Sequence, residues 1–206
     1  MKKLDTNELL FAESLVKKGL LKAAESLSFF MKEDLGINEL NFRINENIEW
    51  PNKTGENIHL LTTEVMGELP GVCYLIFSEG EANKLRDIAL SVEIRNNPEL
   101  VAEMNDAIML EVDNIISASV ITEFSNILKR KIYGNVPNLE LVNENRLKVL
   151  LNEKMNEDMY SINFKAQFMS SNINFSPEFV WLFDHKFLDS IKSLASDLKE
   201  NSLLLN

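Results

Sequence analysis

Apolar residues recur at helical spacing through residues 6–33, where Leu9, Leu10, Leu15, Val16, Leu20, Ala23, Ala24, Leu27 and Phe30 include one continuous stripe. This predicts a long amphipathic helix, with Gly36 marking its end. Phe42, Ile44 and Ile48 then alternate with polar residues as a strand does, and Pro51, Lys53, Thr54 and Gly55 predict a loop. Two strand-like runs, 57–67 and 71–78, are joined by the short turn Gly67-Glu68-Leu69-Pro70-Gly71. Residues 80–91 return to helical spacing through Ala82, Leu85, Ile88 and Ala89.

The second half repeats this order. Pro98 stands at a helix start, where a missing N–H does no harm, and apolar positions continue to about Lys131. Tyr133-Gly134-Asn135-Val136-Pro137 ends that helix. A strand near 138–142 and a short helix near 143–155 follow. Tyr160, Ile162, Phe164, Ala166 and Phe168 then fall on one side of a strand, a second strand covers about 172–183, and a last helix covers 185–198.

The pattern is a duplication, with pseudo-repeats at about 5–92 and 97–200 and no Gly-, Pro- or Ser-rich linker between them. Each repeat has too few strands to close a core. The expectation is one domain over residues 1–206. Its class is α/β in the α+β sense: a mainly antiparallel sheet of about six strands covered by long helices.

Charge narrows the partners. With 32 acidic residues against 21 basic ones, the net charge is −11. Phosphate-rich nucleic acid and anionic lipid are repelled by such a chain, so neither is expected as a partner. Any phosphorylated substrate is expected to arrive with a cation of its own. The longest uninterrupted apolar run, Val72–Phe77, is six residues, far short of the roughly 18 needed to span a bilayer. The opening Met1-Lys2-Lys3-Leu4-Asp5 turns acidic before any signal-peptide core. Cys73 is the single cysteine, which excludes an internal disulfide and fits a reducing compartment; a cytoplasmic protein is expected.

Most site chemistries are absent. His59, in a predicted strand, and His185, at a predicted helix start, lack partners at metal-ligand spacing, so structural or surface roles are expected. There is no phosphate-binding loop, dinucleotide fingerprint or nucleophile elbow. Cys73 lies within the apolar run and reads as a buried, inert thiol. In the second long helix, Glu111 and Asn114 are three residues apart, hence about 60° apart on one helical face. Ala107 and Ala118 lie one turn to either side and leave a shallow surface. The spacing alone carries little, since Glu-x-x-Asn also occurs at Glu49/Asn52, Glu93/Asn96, Glu123/Asn126, Glu140/Asn143 and Glu153/Asn156.

Context separates one pair from the rest. Asn114 is followed by 22 residues and then Pro137, and none of the other five pairs has a proline at that distance. Glu111-Val112-Asp113-Asn114-Ile115 precedes small residues, and Met66–Phe77 forms a hairpin followed by an acidic turn and a helix containing Ala82 and Leu85. In these features, which run through nearly the whole chain in order, the sequence resembles the CheC/CheX/FliY family of chemotaxis phosphatases. There are three departures. Ala107 replaces the family's Asp or Ser four residues before the Glu. Asp113 replaces its Gly, which would put a carboxylate near the site. The first long helix lacks the pair, since Glu13 is followed three residues later by Val16, with Lys17 near the Asn position.

The resemblance implies a phosphatase for the phosphoaspartate of a CheY-like response regulator. Asn114 would position the attacking water and Glu111 would contact the regulator's lysine. It implies no metal or cofactor of the chain's own, with Mg²⁺ carried by the regulator, and either a monomer or a homodimer. The alternative it leaves is a non-catalytic adaptor that binds a response regulator or a CheD-like receptor deamidase. A switch component of the FliY type is the weakest reading, because the additional C-terminal switch domain does not fit within 206 residues.

Overall fold

The computed structural model describes residues 4–53, 57–90, 92–156 and 158–203. The expectations at residues 1–3, at Thr54 and Gly55 and at position 91 lie outside the described residues. Helix α1 (Thr6–Met31) starts on a reciprocal cap: Asp5 Oδ1 accepts from the backbone N–H groups of Asn7 and Glu8, and Glu8 Oε2 accepts from that of Asp5 at 2.7 Å. Such a cap is worth about 1 kcal/mol. The helix stops at Lys32, which takes the left-handed conformation at φ 56°. Gly36, expected to end the helix, instead opens strand β1 (Gly36–Asn45). The predicted hairpin is β2 (Ile58–Gly67) and β3 (Gly71–Ser78), followed by α2 (Glu79–Ala89) and the short α3 (Val92–Arg95).

Helix α4 (Pro98–Leu128) is 31 residues long and ends before the expected Lys131. Its stop repeats that of α1, with Lys129 left-handed at φ 52° and the N–H of Arg130 donating to Ser125 O, as that of Glu33 donates to Ser28 O. The residues read as its terminator begin inside a three-residue strand, β4 (Ile132–Gly134). Then come β5 (Asn138–Val142), α5 (Glu144–Lys154) and β6 (Met159–Met169). The expected strand at 172–183 is two strands, β7 (Asn174–Phe175) and β8 (Glu178–Asp184), separated by Ser176 and Pro177, because proline has no N–H for the ladder. Helix α6 (His185–Leu203) runs past the expected end.

All strand pairs are antiparallel, in the order β1-β6-β8-β3-β2-β4, with β5 also on β2 and β7 on β6. The halves exchange strands: β1 pairs with β6 of the second half, and β5 pairs with β2 of the first. The β3–β8 seam joins the two hairpins. On one face of this sheet, α1 and α4 cover Leu61, Val65, Cys73, Leu75, Phe77, Trp181 and Phe183. On the other face, Leu147 and Leu151 of α5 cover Ile58, Leu60, Tyr74 and Ile76.

Helices α1 and α4 cross at Gly19, where a Cβ would stand 2.6 Å from Val120 Cα. Beside the crossing, the buried Glu123 of α4 pairs with Lys18 at 3.0 Å and with Lys22, both on α1. Those lysines, Lys22 first, hold its carboxyl below the ordinary range. Between α4 and the sheet, the fully buried Asp113 accepts hydrogen bonds from Thr63 Oγ1 at 2.6 Å and Ser117 Oγ at 3.0 Å. The sequence reading placed Asp113 beside the site. Instead it points into the core, because adjacent residues on a helix are turned about 100° from one another.

Two outcomes follow from this packing. Gly19→Ala forces the α1 and α4 backbones apart, whereas Gly80 in α2 has nothing within 4 Å of its missing Cβ. Gly19→Ala should lose about 1–3 kcal/mol by overpacking, and Gly80→Ala should gain up to about 1 kcal/mol from helix propensity. Thermal melts of the two variants check this, and a stabilised Gly19→Ala contradicts the close crossing. Burial pushes the Asp113 carboxyl up to about 6, against the pull of its two hydroxyl donors. The native state therefore holds a proton that the unfolded chain releases near pH 4, and stability falls as pH rises from about 4 to about 6, by roughly 3 kcal/mol. Asp113→Asn keeps one acceptor and adds a donor for the two hydroxyls. It should melt higher than the parent at pH 7.5 and lose that contribution to the pH slope; a variant less stable at pH 7.5 contradicts the burial cost.

Candidate functional site

Helix α4 is buried on nearly all sides. Ile108, Met109, Val112, Asp113, Ile116, Ser117 and Val120 all face the interior. From Ala107 to Thr122 its exposed residues, Ala107, Glu111, Asn114, Ala118 and Thr122, succeed one another as one stripe at steps of three and four, with Met104 one turn before them and Asp106 exposed off that line. Glu111 and Asn114 are thus neighbours on the stripe, and both are exposed. Among the described residues neither side chain makes a hydrogen bond or ion pair, so both are free to meet another molecule.

Across from them runs the segment between β4 and β5. Together Ala107, Leu110, Glu111, Asn114, Gly134, Asn135, Val136 and Pro137 line one shallow groove of about 330 Å³. This gives the sequence spacing a physical meaning: the 22 residues between Asn114 and Pro137 finish the helix, turn, and bring the chain back as the facing wall. Asn135 fixes that wall in place. Its N–H donates to Glu64 O at 2.8 Å, while its Oδ1 accepts from the N–H of Val136 at 2.8 Å. Gly134 fits closely because a Cβ there would meet Thr63 Cγ2 at 3.1 Å and Ile121 Cδ1 at 3.2 Å.

Thr63 links the two walls. Its hydroxyl holds Asp113 on α4, and the next residue, Glu64, holds Asn135. Asp113 therefore acts behind the groove as the tether that sets α4 against β2. Sequence reasoning missed Leu110, Val136 and this tether. The tether was open to inference, since Met109, Val112, Ile116 and Val120 surround position 113 on the helical wheel.

The remaining sequence candidates lie apart from the groove. His59 is buried in β2, and burial pushes its imidazole below the ordinary value despite the carboxylates of Asp106 and Glu79. His185 is exposed at the start of α6. Cys73 is buried, and that burial, with the Asp113 charge second, pushes its thiol well up. A thiol so placed does not ionise at neutral pH. Among the described residues no three His, Cys, Asp or Glu side chains converge to hold a metal, and no helix is long and apolar enough to cross a membrane.

The first half has no such pair. Counted back from the matched caps at Lys32 and Lys129, Ser14 and Lys17 of α1 stand where α4 has Glu111 and Asn114. A lysine cannot accept a hydrogen bond from water, so the duplicated position lacks the chemistry of its counterpart.

No protein-family model and no curated protein sequence matches the chain. Solved structures do. Thermotoga maritima FliY aligns over 95% of this chain and 99% of its own, with a TM-score of 0.69 at 15% identity. A FliM–SpeE complex from H. pylori aligns over 93% and 97%, with a TM-score of 0.60 at 10% identity. The CheX–CheY–BeF3–Mg complex from Borrelia burgdorferi aligns over 82% and 97%, with a TM-score of 0.53 at 12% identity. By these likenesses over most of its length, this chain has the fold of the CheC/CheX/FliY family.

Proposed function

We propose that the chain is a cytoplasmic phosphatase that hydrolyses the phosphoaspartate of a CheY-type response regulator, through the face of α4 that carries Glu111 and Asn114. The observation that carries the reading is the groove itself. A carboxylate and a carboxamide with no partners among the described residues stand side by side, opposite Pro137, on a solvent-facing stripe of α4. The complex of CheX with CheY and beryllofluoride supports it by fold alone.

In this reaction a water attacks phosphorus, the bond from phosphorus to the aspartyl oxygen breaks, the aspartate leaves as a carboxylate, and phosphate is released. Little covalent chemistry is asked of the protein; placing the water in line and offsetting charge are enough. The Asn114 amide suits the first task, since its oxygen accepts from the water while its nitrogen donates to a second oxygen. Glu111 pairs with the regulator's lysine and orients it. Metal and positive charge come with the regulator, so an acidic phosphatase repels neither.

A second reading is a docking module that binds a regulator, or a CheD-like deamidase, without turnover. Two observations favour it: the same fold occurs in FliM, which in one solved structure is bound to a partner protein, and Ala107 stands where the family has Asp or Ser. Asp113 no longer counts toward it, being buried behind the helix.

Phosphate release from a phosphorylated CheY-type receiver separates the two readings. The wild-type chain should accelerate release, and Asn114→Ala should remove most of the gain, about 10²-fold, while still binding. Glu111→Lys should weaken both binding and rate. Equal release with and without the wild-type chain leaves the docking module.

A further inference from the structure

On α4 and on the chain from β4 through β5 the fold leaves large apolar side chains in solvent, and one of them, Val136, lines the groove itself. Val136 is 83% exposed, Leu141 61% and Met104 37%. Single exposed apolar residues are ordinary on a protein surface. These three belong to the two elements that carry the groove's walls. Val136 is part of the wall facing Glu111 and Asn114. Leu141 continues that wall along β5, on the same side as the half-buried Leu139, because residues two apart in a strand share a face. Met104 lies on α4, one turn before Ala107.

Val136 is also held rigidly in the open. Its own N–H is fixed to Asn135 Oδ1, the N–H of Asn135 to Glu64 O, and Pro137 restricts the backbone that follows. An apolar side chain fixed in that position gives up little conformational freedom when it is covered, which favours its use as an anchor. Among the residues lining the groove, Glu111 is the only charged one. A partner's surface that matches it has one cation opposite Glu111 and apolar contact around it. Such a rim also excludes bulk water from the centre, which a reaction on one positioned water requires.

We infer that Val136, with Leu141 and Met104 around it, is the apolar seat for the receiver domain of the phosphorylated regulator. Docking strength comes from this rim, whereas Glu111 sets orientation. The inference rests on the phosphatase reading for the identity of the occupant, but it concerns binding and is tested by binding.

The probe is a CheY-type receiver domain loaded with beryllium fluoride and Mg²⁺, titrated calorimetrically against the full chain. Val136→Asp should weaken binding at least tenfold, and Val136→Ser and Leu141→Ser severalfold. Val149→Asp on α5, at a residue 46% exposed over the opposite face of the sheet, should change it less than twofold. Unchanged melting temperatures show that each variant folds. In turnover, Val136→Ser should raise KM and leave kcat nearly unchanged, whereas Asn114→Ala should lower kcat with binding retained. If the wild-type chain binds the receiver without speeding phosphate release, the hydrolase reading fails and the rim is judged by the titrations alone. Wild-type affinity in Val136→Asp overturns the inference. So does a wild-type dimer in sedimentation that Val136→Asp converts to monomer, which makes a second copy of the chain the occupant. Absence of any wild-type binding overturns both.

Discussion

Each half of this chain lacks one strand, and the other half supplies it. Strand β1 completes the β6–β8 hairpin, and β5 completes the β2–β3 hairpin, so the sheet exists only when both halves are in place. That exchange fixes where the two long helices lie, since each is tied by a short connection to a strand on the far side of the seam. They cross closely at Gly19, where a methyl group would collide with the Val120 backbone. The charged contacts of Glu123 with Lys18 and Lys22 lie beside that crossing and depend on it.

A helix packed this deeply has little surface left for chemistry. Between Ala107 and Thr122 the exposed stripe on α4 is narrow, and its polar residues owe their orientation to the buried ones between them. Asp113 is the most costly of these. A carboxylate without a cation in the core lowers stability at neutral pH, yet its hydrogen bond to Thr63 ties α4 to the strand that also holds the facing wall of the groove. The arrangement resembles other sites in which local stability is given up to hold a geometry. In the first half, Val16 takes the place of Asp113, and Ser14 and Lys17 take the places of the exposed pair. The tether and the chemistry are therefore missing together.

Much of this was legible in the sequence because the elements are long and their periods are clean. The bounds of α1, the β2–β3 hairpin and β5 follow from apolar spacing and turn residues alone. The misreadings have local causes. Lys32 takes the left-handed stop usually given to glycine, which left Gly36 free to open β1. Strand β4 is three residues long and runs straight into the turn-forming Gly134-Asn135, so its pairing with β2 is what marks it as a strand. Pro177 interrupts what alternation alone presents as one strand. The pair Glu111 and Asn114 stood out only through its distance to Pro137, a tertiary contact expressed as a count of residues. Asp113 was misplaced by adjacency in the chain, although the apolar positions around it already indicated the inward face.

The central claim is that Asn114 reaches into a partner's phosphorylated pocket. It is tested most directly by the structure of this chain bound to a CheY-type receiver carrying beryllium fluoride and Mg²⁺. The expected result has the Asn114 amide on the open side of the beryllium centre, in line with its bond to the aspartate, and Glu111 paired with the receiver's lysine. A receiver seated on α1 or on the outer face of the sheet, with Asn114 left in solvent, would contradict it.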